Sequence, residues 1–313
     1  MKKQQRKGFV TIATGQERYY KLARNLLHSY RLFAKDPFPF AIISDRENEY
    51  TSEFDKVIVI SDASNSYNDK LKLFRELPFE ETIFIDADSL AYGDLNTWWD
   101  IFCDAGDFSL FGYAWRDLNC GRGWFIPSGM KQYGTDISFI PDFNGDVYYM
   151  RNTDACRHVF EIAINCEKNY HDYSFNGFAD PADEPLLALG MAVCKFEPVD
   201  MPGKLVFAPS RKRLEADISV PRAVFHSPTG YDYSTKLIHF SNYRTQLSFY
   251  RNEVVKLDRL IGRGDKTLHK MPNWMRITLL RTSDVAPLCK RVINKVKTVS
   301  YTHLRAHETR HDL

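Results

Sequence analysis

The sequence predicts an α/β fold, a mostly parallel central sheet flanked by helices. Three observations carry this. Short β-rich apolar runs recur between Gly8 and Asp88. A long amphipathic segment separates the first two of them. Strand–helix–strand alternation of this kind folds into parallel sheets covered by helices.

Gly8 to Thr14 reads GFVTIAT, a buried first strand that ends at the turn residue Gly15. From Glu17 to Phe33, Leu22, Leu26 and Tyr30 share one row, with Ala23 and Leu27 beside it. That spacing predicts a helix, ended by the Asp36-Pro37 turn. Phe40 to Asp45 and Lys56 to Ile60 read as two further buried strands. Asn68 to Leu77 reads as a short helix stopped by Pro78. Thr82 to Asp88 is an apolar strand that ends abruptly in two carboxylates.

Ligands of such sheets sit beyond the carboxyl ends of the strands. That rule puts Thr14, Asp45 and Asp86 to Asp88 along one rim. Tyr113 to Tyr133, with Gly121, Gly123, Pro127 and Gly129, reads as a long loop or hairpin near it. Its Trp115 and Trp124 either stack on an acceptor or anchor the loop. Gly145 to Met150 is read as a strand, Thr153 to Asn169 and Asp183 to Val193 as helices, and Lys236 to Ser241 as a late strand.

A chain of 313 residues can bury a sizeable core. Its 44% hydrophobic and 26% charged residues are ordinary for a globular protein. A formal charge of +2 makes no demand for a nucleic-acid partner. Cys103, Cys120, Cys156, Cys166, Cys194 and Cys289 form no C-x-x-C pair and no zinc spacing, so reduced thiols are expected. The apolar run after the basic head is about six residues long, below the ~7–15 of a signal peptide. A cytoplasmic protein, at most peripheral to a membrane, is the expectation.

The chemistry is expected at Asp86-Ala87-Asp88. Two carboxylates one residue apart at a buried strand end can reach a common divalent cation, and hard oxygen ligands suit Mg²⁺ or Mn²⁺. Such an ion on a diphosphate would neutralise charge as a nucleotide leaves. The triplet by itself is expected about once per chain of this length by chance. Its place after an apolar strand, behind a first strand with a small-residue turn, gives it weight.

From Phe9 to Trp99 the chain resembles the nucleotide-sugar-binding half of a GT-A-fold glycosyltransferase. It is most similar to family eight, the group of glycogenin and the bacterial lipopolysaccharide galactosyltransferases. The motifs that carry the likeness are Thr11 to Thr14 with Ala13, an aromatic at Tyr19 or Tyr20, and Lys70 upstream of Asp86-Ala87-Asp88. Phe143-Asn144-Gly145, Asp183-Glu184 and His239-Phe240-Ser241-Asn242 follow in the family's order. Order and spacing together are more specific than any one motif.

The resemblance implies a UDP-hexose donor, with Mn²⁺ (or Mg²⁺) held by Asp86, Asp88 and His239. It implies Tyr19 or Tyr20 on the base, and donor contacts from Thr11, Ala13, Thr14, Asp45, Lys70, Ala87, Asn144 and Gly145. It also implies Asp183, Glu184 and Lys70 at the reaction centre, and retention of configuration. Two departures stand out. Asn242 replaces a glycine and no Lys-Pro-Trp follows, which leaves Arg244 as the candidate phosphate cation. Glu184 replaces the usual glutamine, so Glu184 or Asp183 as a general base with inversion is the alternative.

The expected domains are 7–250 for the transferase, 251–298 for a basic helical extension, and 299–313 for a tail. That tail, beginning VSYTHLRAHET, reads as a translated sequencing adaptor and is set aside. The basic extension is either a helical appendage or a peripheral contact with anionic lipid. Acceptors of glycan, lipid-linked or protein type are all compatible. Two rivals stand beside the transferase. A sugar-1-phosphate nucleotidyltransferase would carry a denser glycine loop than ATGQERYY. A degenerate sugar-nucleotide-binding subunit would explain the altered closing motif.

Overall fold

The computed structural model describes residues 6–126, 136–175, 177, 180–200, 205–207, 214–226 and 232–281. The chain divides into two compact units, Met1–Ala216 with Pro221–His239, and Asp217–Val220 with Phe240–Leu313.

The first unit is built on β1 (Lys7–Ala13), β2 (Phe40–Ser44), β3 (Lys56–Val59), β4 (Glu81–Ile85), β5 (Ser89–Ala91), β6 (Phe108–Trp115) and β7 (Ile140–Arg151). Six of these form one sheet in the order β3-β2-β1-β4-β7-β6. Strands β1 to β4 run parallel, while β7 runs antiparallel to both β4 and β6. The result is the mixed, mostly parallel sheet that the apolar runs predict.

Side chains alternate across each strand, so adjacent residues feed opposite layers. On one face Phe9 packs its ring 4.8 Å from Tyr30 of α1 (Glu17–Phe33) and 5.4 Å from Trp99 of α2 (Trp98–Phe102). On the other, Val10, Phe84 and Tyr148 join Val159 and Phe160 of α3 (Asp154–Lys168) and Leu186 of α4 (Asp183–Cys194). Burying each such side chain is worth about 1.5–3 kcal/mol relative to exposure. Helix α1 has the bounds its periodicity predicts, and Leu22, Ala23, Leu26, Leu27 and Tyr30 are all buried.

Three expectations need correction. Strand β3 is not a buried strand; it is the sheet edge, with Lys56 and Val59 exposed, because no strand among the described residues pairs beyond it. The short helix over 68–77 is a 3-10 turn, Tyr67–Lys72, started by Ser66, whose side chain accepts from Asn68 N–H. Of the segment read as a loop or hairpin from Tyr113, the first three residues belong to β6, which pairs antiparallel with β7 and carries a register shift between Leu110 and Gly112. Of that segment, 127–135 lie outside the described residues.

Two small sheets complete the strands. One orders β5, β12 (Leu237–His239) and β8 (Leu205–Phe207); the other is β11 (Asp232–Ser234), β10 (Arg222–His226) and β9 (Leu214–Asp217). The second unit contains α5 (Ser248–Leu260), α6 (Lys266–Lys270) and α7 (Asn273–Arg281). Within it Arg276 is buried and donates to Asn252 Oδ1 at 2.8 Å. Trp274, Met275 and Leu279 of α7 are exposed. Among the described residues no helix is long and apolar enough to cross a membrane. Residues 282–298 of the expected basic extension and the adaptor-like tail lie outside the described residues.

Candidate active site

The site forms where two short strand pairings converge beyond β4. Strand β4 ends at Ile85, and Asp86-Ala87-Asp88 follows before β5 begins. Strand β12 pairs antiparallel with β5, with His239 opposite Ser89. That register brings the late histidine beside the acid pair across about 150 residues of chain. His239 Nε2 lies 3.0 Å from Asp88 Oδ1 and 3.7 Å from Asp86 Oδ2. One ligand atom from each of Asp86, Asp88 and His239 lies within 4.8 Å of the others.

The antiparallel β4–β7 pair supplies the second side. Ile85 faces Val147, and Asp86 N–H donates to Asp146 O at 2.9 Å. Gly145 N–H donates to Glu184 Oε1 at 2.8 Å, and Tyr148 Oη donates to Asp183 Oδ2 at 2.8 Å. A side chain at Gly145 would meet Asp183 Oδ2 and Glu184 Cγ, each at 2.8 Å. The glycine therefore lets the start of α4 press against β7. Asp183 and Glu184 occupy its first turn, where the helix dipole favours acids.

Lys70 ties these parts together. Its Nζ donates to Asp86 Oδ2 at 2.8 Å and to Gly145 O at 2.7 Å, and lies 3.1 Å from Asp183 Oδ2. Sequence reasoning pairs this lysine with the donor. Here its ammonium is buried and committed to the protein's own oxygens.

The electrostatics follow from crowding. Burial opposes the charge on Lys70, but Asp183 and Asp86 outweigh it and raise its pKa. Burial and the neighbouring Asp88 raise Asp86, against the pull of Lys70. Burial works against Asp88 too, yet His239 holds its carboxyl below the usual range. Burial disfavours the imidazolium of His239, but Asp88, Asp146 and Asp86 lift it to about 9. Burial and the charge of Asp183 push Glu184 up to about 7. Lys70 and His239 are the cations that the structure pairs with Asp86, Asp88, Asp146 and Asp183 among the described residues, and Glu184 lies beside them. The donor set of two carboxylates and an imidazole, in acidic surroundings, fits a divalent cation.

The rim residues fall into a second group. Thr14 donates to Asp69 Oδ2 at 3.1 Å. Gly15, at φ +80°, donates its N–H to Asp45 Oδ1 at 3.2 Å, and Tyr20 donates to the same oxygen at 2.5 Å. Tyr20 is buried and committed to Asp45; Tyr19 is half-buried, with the Arg18 guanidinium 4.5 Å from its ring centroid. Thr11 and Ala13 are buried within β1, Ala87 is buried between its acids, and Asn144 is exposed. Arg244 belongs to the second unit, where it donates to Ser241 Oγ at 2.6 Å. Trp115, at the end of β6, donates to Asp142 Oδ2 at 2.9 Å, and Trp124 packs edge-on against Phe143. A cavity of about 380 Å³ between Phe74, Arg157 and Phe160 shares no residue with the acidic cluster.

Sequence reasoning missed Asp69 and Asp146. Asp146 stands at the head of the apolar run 147–150 of β7, where a single acid carries no motif. For Asp69 no periodicity distinguished it from a solvated turn residue.

The sheet order and the acids beyond β4 define a GT-A-like α/β protein, the fold of nucleotide-diphospho-sugar transferases. An active-site mutant of LgtC shares this fold with a TM-score of 0.50 at 15% identity, covering 84% of this chain and 99% of that one. The galactosyltransferase LgtC in complex with donor and acceptor sugar analogues matches at a TM-score of 0.49 and 14% identity, over 84% and 99%. The bifunctional glycosyltransferase WbbM matches at 0.48 and 13%, over 89% of this chain and 52% of that one. No family model matches the chain, and no curated protein matches it by sequence.

Proposed function

We propose that the chain is a metal-dependent glycosyltransferase that moves a hexose from a nucleoside diphosphate sugar, a UDP-hexose, to a hydroxyl of a glycan, lipid-linked or protein acceptor. The observation that carries this reading is the convergence of Asp86, Asp88 and His239 within 4.8 Å at the carboxyl end of a parallel strand. The fold shared with LgtC supports it, because ligands of open α/β sheets sit beyond the carboxyl ends of the strands.

Asp86, Asp88 and His239 would hold Mn²⁺ or Mg²⁺. Bound there, the ion supplies positive charge to the diphosphate as the nucleotide departs. Lys70 keeps Asp86 and Asp183 fixed, which pre-organises the acids at the sheet edge. Asp183 is held by Tyr148 and Lys70, and Glu184 by the Gly145 N–H, so both carboxyls have fixed positions where a sugar and acceptor would meet. Asp45, Thr14 and Tyr19 edge the end of the first strands, where the nucleoside would lie.

The family resemblance favours retention of configuration. One observation favours a second reading: Glu184 has a pKa near 7, matched to a general base at neutral pH. A base that deprotonates the acceptor hydroxyl suits inversion. The anomeric configuration of the product, read by NMR, separates the two.

The C-terminal region is proposed to touch anionic lipid peripherally. Support comes from α7, where Trp274, Met275 and Leu279 are 69%, 46% and 51% exposed in a basic stretch.

The test is a donor panel read by thermal unfolding, with Mn²⁺ or with chelator. A donor bound only by the folded state raises the midpoint. The reading expects a rise with a UDP-hexose and Mn²⁺, and none after chelation. No rise with any nucleotide sugar would overturn it.

A further inference from the structure

The metal-dependent reading gives no role to Asp146, a wholly buried acid beside the candidate ligands. Asp146 is 1% exposed, in the apolar part of β7. Its Oδ2 lies 3.5 Å from His239 Nδ1. The other ring nitrogen, Nε2, faces Asp88 at 3.0 Å. The imidazole therefore stands between two carboxylates, one facing the acid pair and one behind it. Asp146 Oδ1 has no hydrogen-bond partner among the described residues. Its backbone oxygen accepts from Asp86 N–H at 2.9 Å, so the acid is fixed to the strand end that carries the pair.

Burying a carboxylate costs several kcal/mol unless an interaction offsets it. Val147, Tyr148, Tyr149 and Met150 follow it in β7, all buried. An acid among them is a poor choice for stability, which directs attention to what it faces. A neutral imidazole carries its proton on one nitrogen and offers a lone pair on the other. Which nitrogen is which depends on the hydrogen bond made by the far side. Histidine ligands commonly hold this choice with a carboxylate behind the ring.

We propose that Asp146 is a positioning residue that holds the His239 ring with Nδ1 protonated and Nε2 presented to the cation between Asp86 and Asp88. The proposal rests on the metal-dependent reading above. At 3.5 Å the two groups face one another as an ion pair, longer than the ~2.7–3.2 Å of a formed N–H···O bond. With His239 6% exposed and Asp146 1%, little water competes for Nδ1.

The test compares wild type with Asp146→Asn and Asp146→Leu. Asparagine keeps an acceptor oxygen behind the ring; leucine fills the space without one. Each protein is titrated with Mn²⁺ in the presence of UDP, with free Mn²⁺ read by electron paramagnetic resonance. Histidine-nitrogen coupling to the bound ion is read by spin echo, and thermal unfolding of the metal-free proteins reports folding. Should leucine not pack, Asp146→Ala takes its place. The variant without an acceptor is expected to bind Mn²⁺ about 10–100-fold more weakly and to lose the nitrogen coupling. Asp146→Asn is expected to stay within a few-fold of wild type with the coupling intact. A purely structural role would lower the unfolding midpoint without this dependence on the acceptor. Wild-type affinity and intact coupling in a folded Asp146→Leu protein would overturn the proposal and leave the metal reading standing. Absence of Mn²⁺ binding by wild type would overturn both.

Discussion

Lys70 Nζ lies 2.8 Å from Asp86 Oδ2, a buried ammonium bonded to the first acid of the candidate metal pair. The same Nζ reaches Asp183 Oδ2 at 3.1 Å, so one cation joins the end of β4 to the start of α4. Lysine here acts from within, setting the positions of two carboxylates before any substrate arrives.

Removing that charge strands two buried acids. Lys70→Met is expected to destabilise the protein by about 3–5 kcal/mol, the usual cost of breaking a buried pair from one side. Urea unfolding of the metal-free protein measures this. A loss below about 1 kcal/mol, the range of exposed pairs, would show that the acids are not held as described.

Glu184 makes stability depend on pH. Its pKa is near 7 in the folded protein against an ordinary 4.5. Between those values the folded state binds more protons than the unfolded one. Stability is therefore fully present below about pH 4.5 and lost as pH rises through 7. Glu184→Gln removes this loss and keeps an acceptor for Gly145 N–H. The metal-free variant is expected to gain about 2–3 kcal/mol at pH 8 and nothing at pH 4, by urea unfolding at both. Equal effects at the two pH values would refute the assignment. A gain in stability with a fall in turnover is what a buried acid kept for chemistry produces.

Gly145 has no room for a side chain. Gly145→Ala is expected to push Asp183 and Glu184 away from β7, at about 1–3 kcal/mol. Turnover should fall further than stability alone explains, because both acids move. Unchanged turnover would mean their positions do not matter.

How much of this was legible in the sequence differs by level. The strands β1, β2 and β4 and helix α1 were legible because apolar periodicity reports burial directly. Strand β3 looked the same by composition, yet it is an edge; pairing, which no local pattern records, decides that. Strands β9 to β11 are only three to five residues long, too short for a period to show, and β6 runs into a glycine-rich segment. At the site, Asp86, Asp88 and His239 were found through motif order, and the β5–β12 register explains why that order works. Sequence places Lys70 near a donor but does not reveal that Asp86, Asp183 and the Gly145 carbonyl lie within its reach. Asp146 was passed over because a single acid in a strand carries no motif.

The metal-free protein offers a further check at His239. Its pKa of about 9 means that Nε2 carries a proton at neutral pH. Mn²⁺ must displace that proton, so binding is expected to tighten as pH rises from 6 towards 9, with proton release visible by calorimetry in buffers of different ionisation heat. His239→Gln should abolish most of this pH dependence. Proton release that is unchanged in His239→Gln would remove the histidine from the ligand set.

The central claim is that the acids beyond β4 make sugar transfer or donor hydrolysis depend on a divalent cation. The most direct measurement is release of UDP from a panel of UDP-hexoses by wild type and Asp88→Ala, each with Mn²⁺ and with chelator. Wild type is expected to release UDP from at least one donor only when Mn²⁺ is present, with the variant reduced by a factor of 100 or more, about 3 kcal/mol of transition-state stabilisation. Release that persists in chelator, or in Asp88→Ala at the wild-type rate, would contradict it.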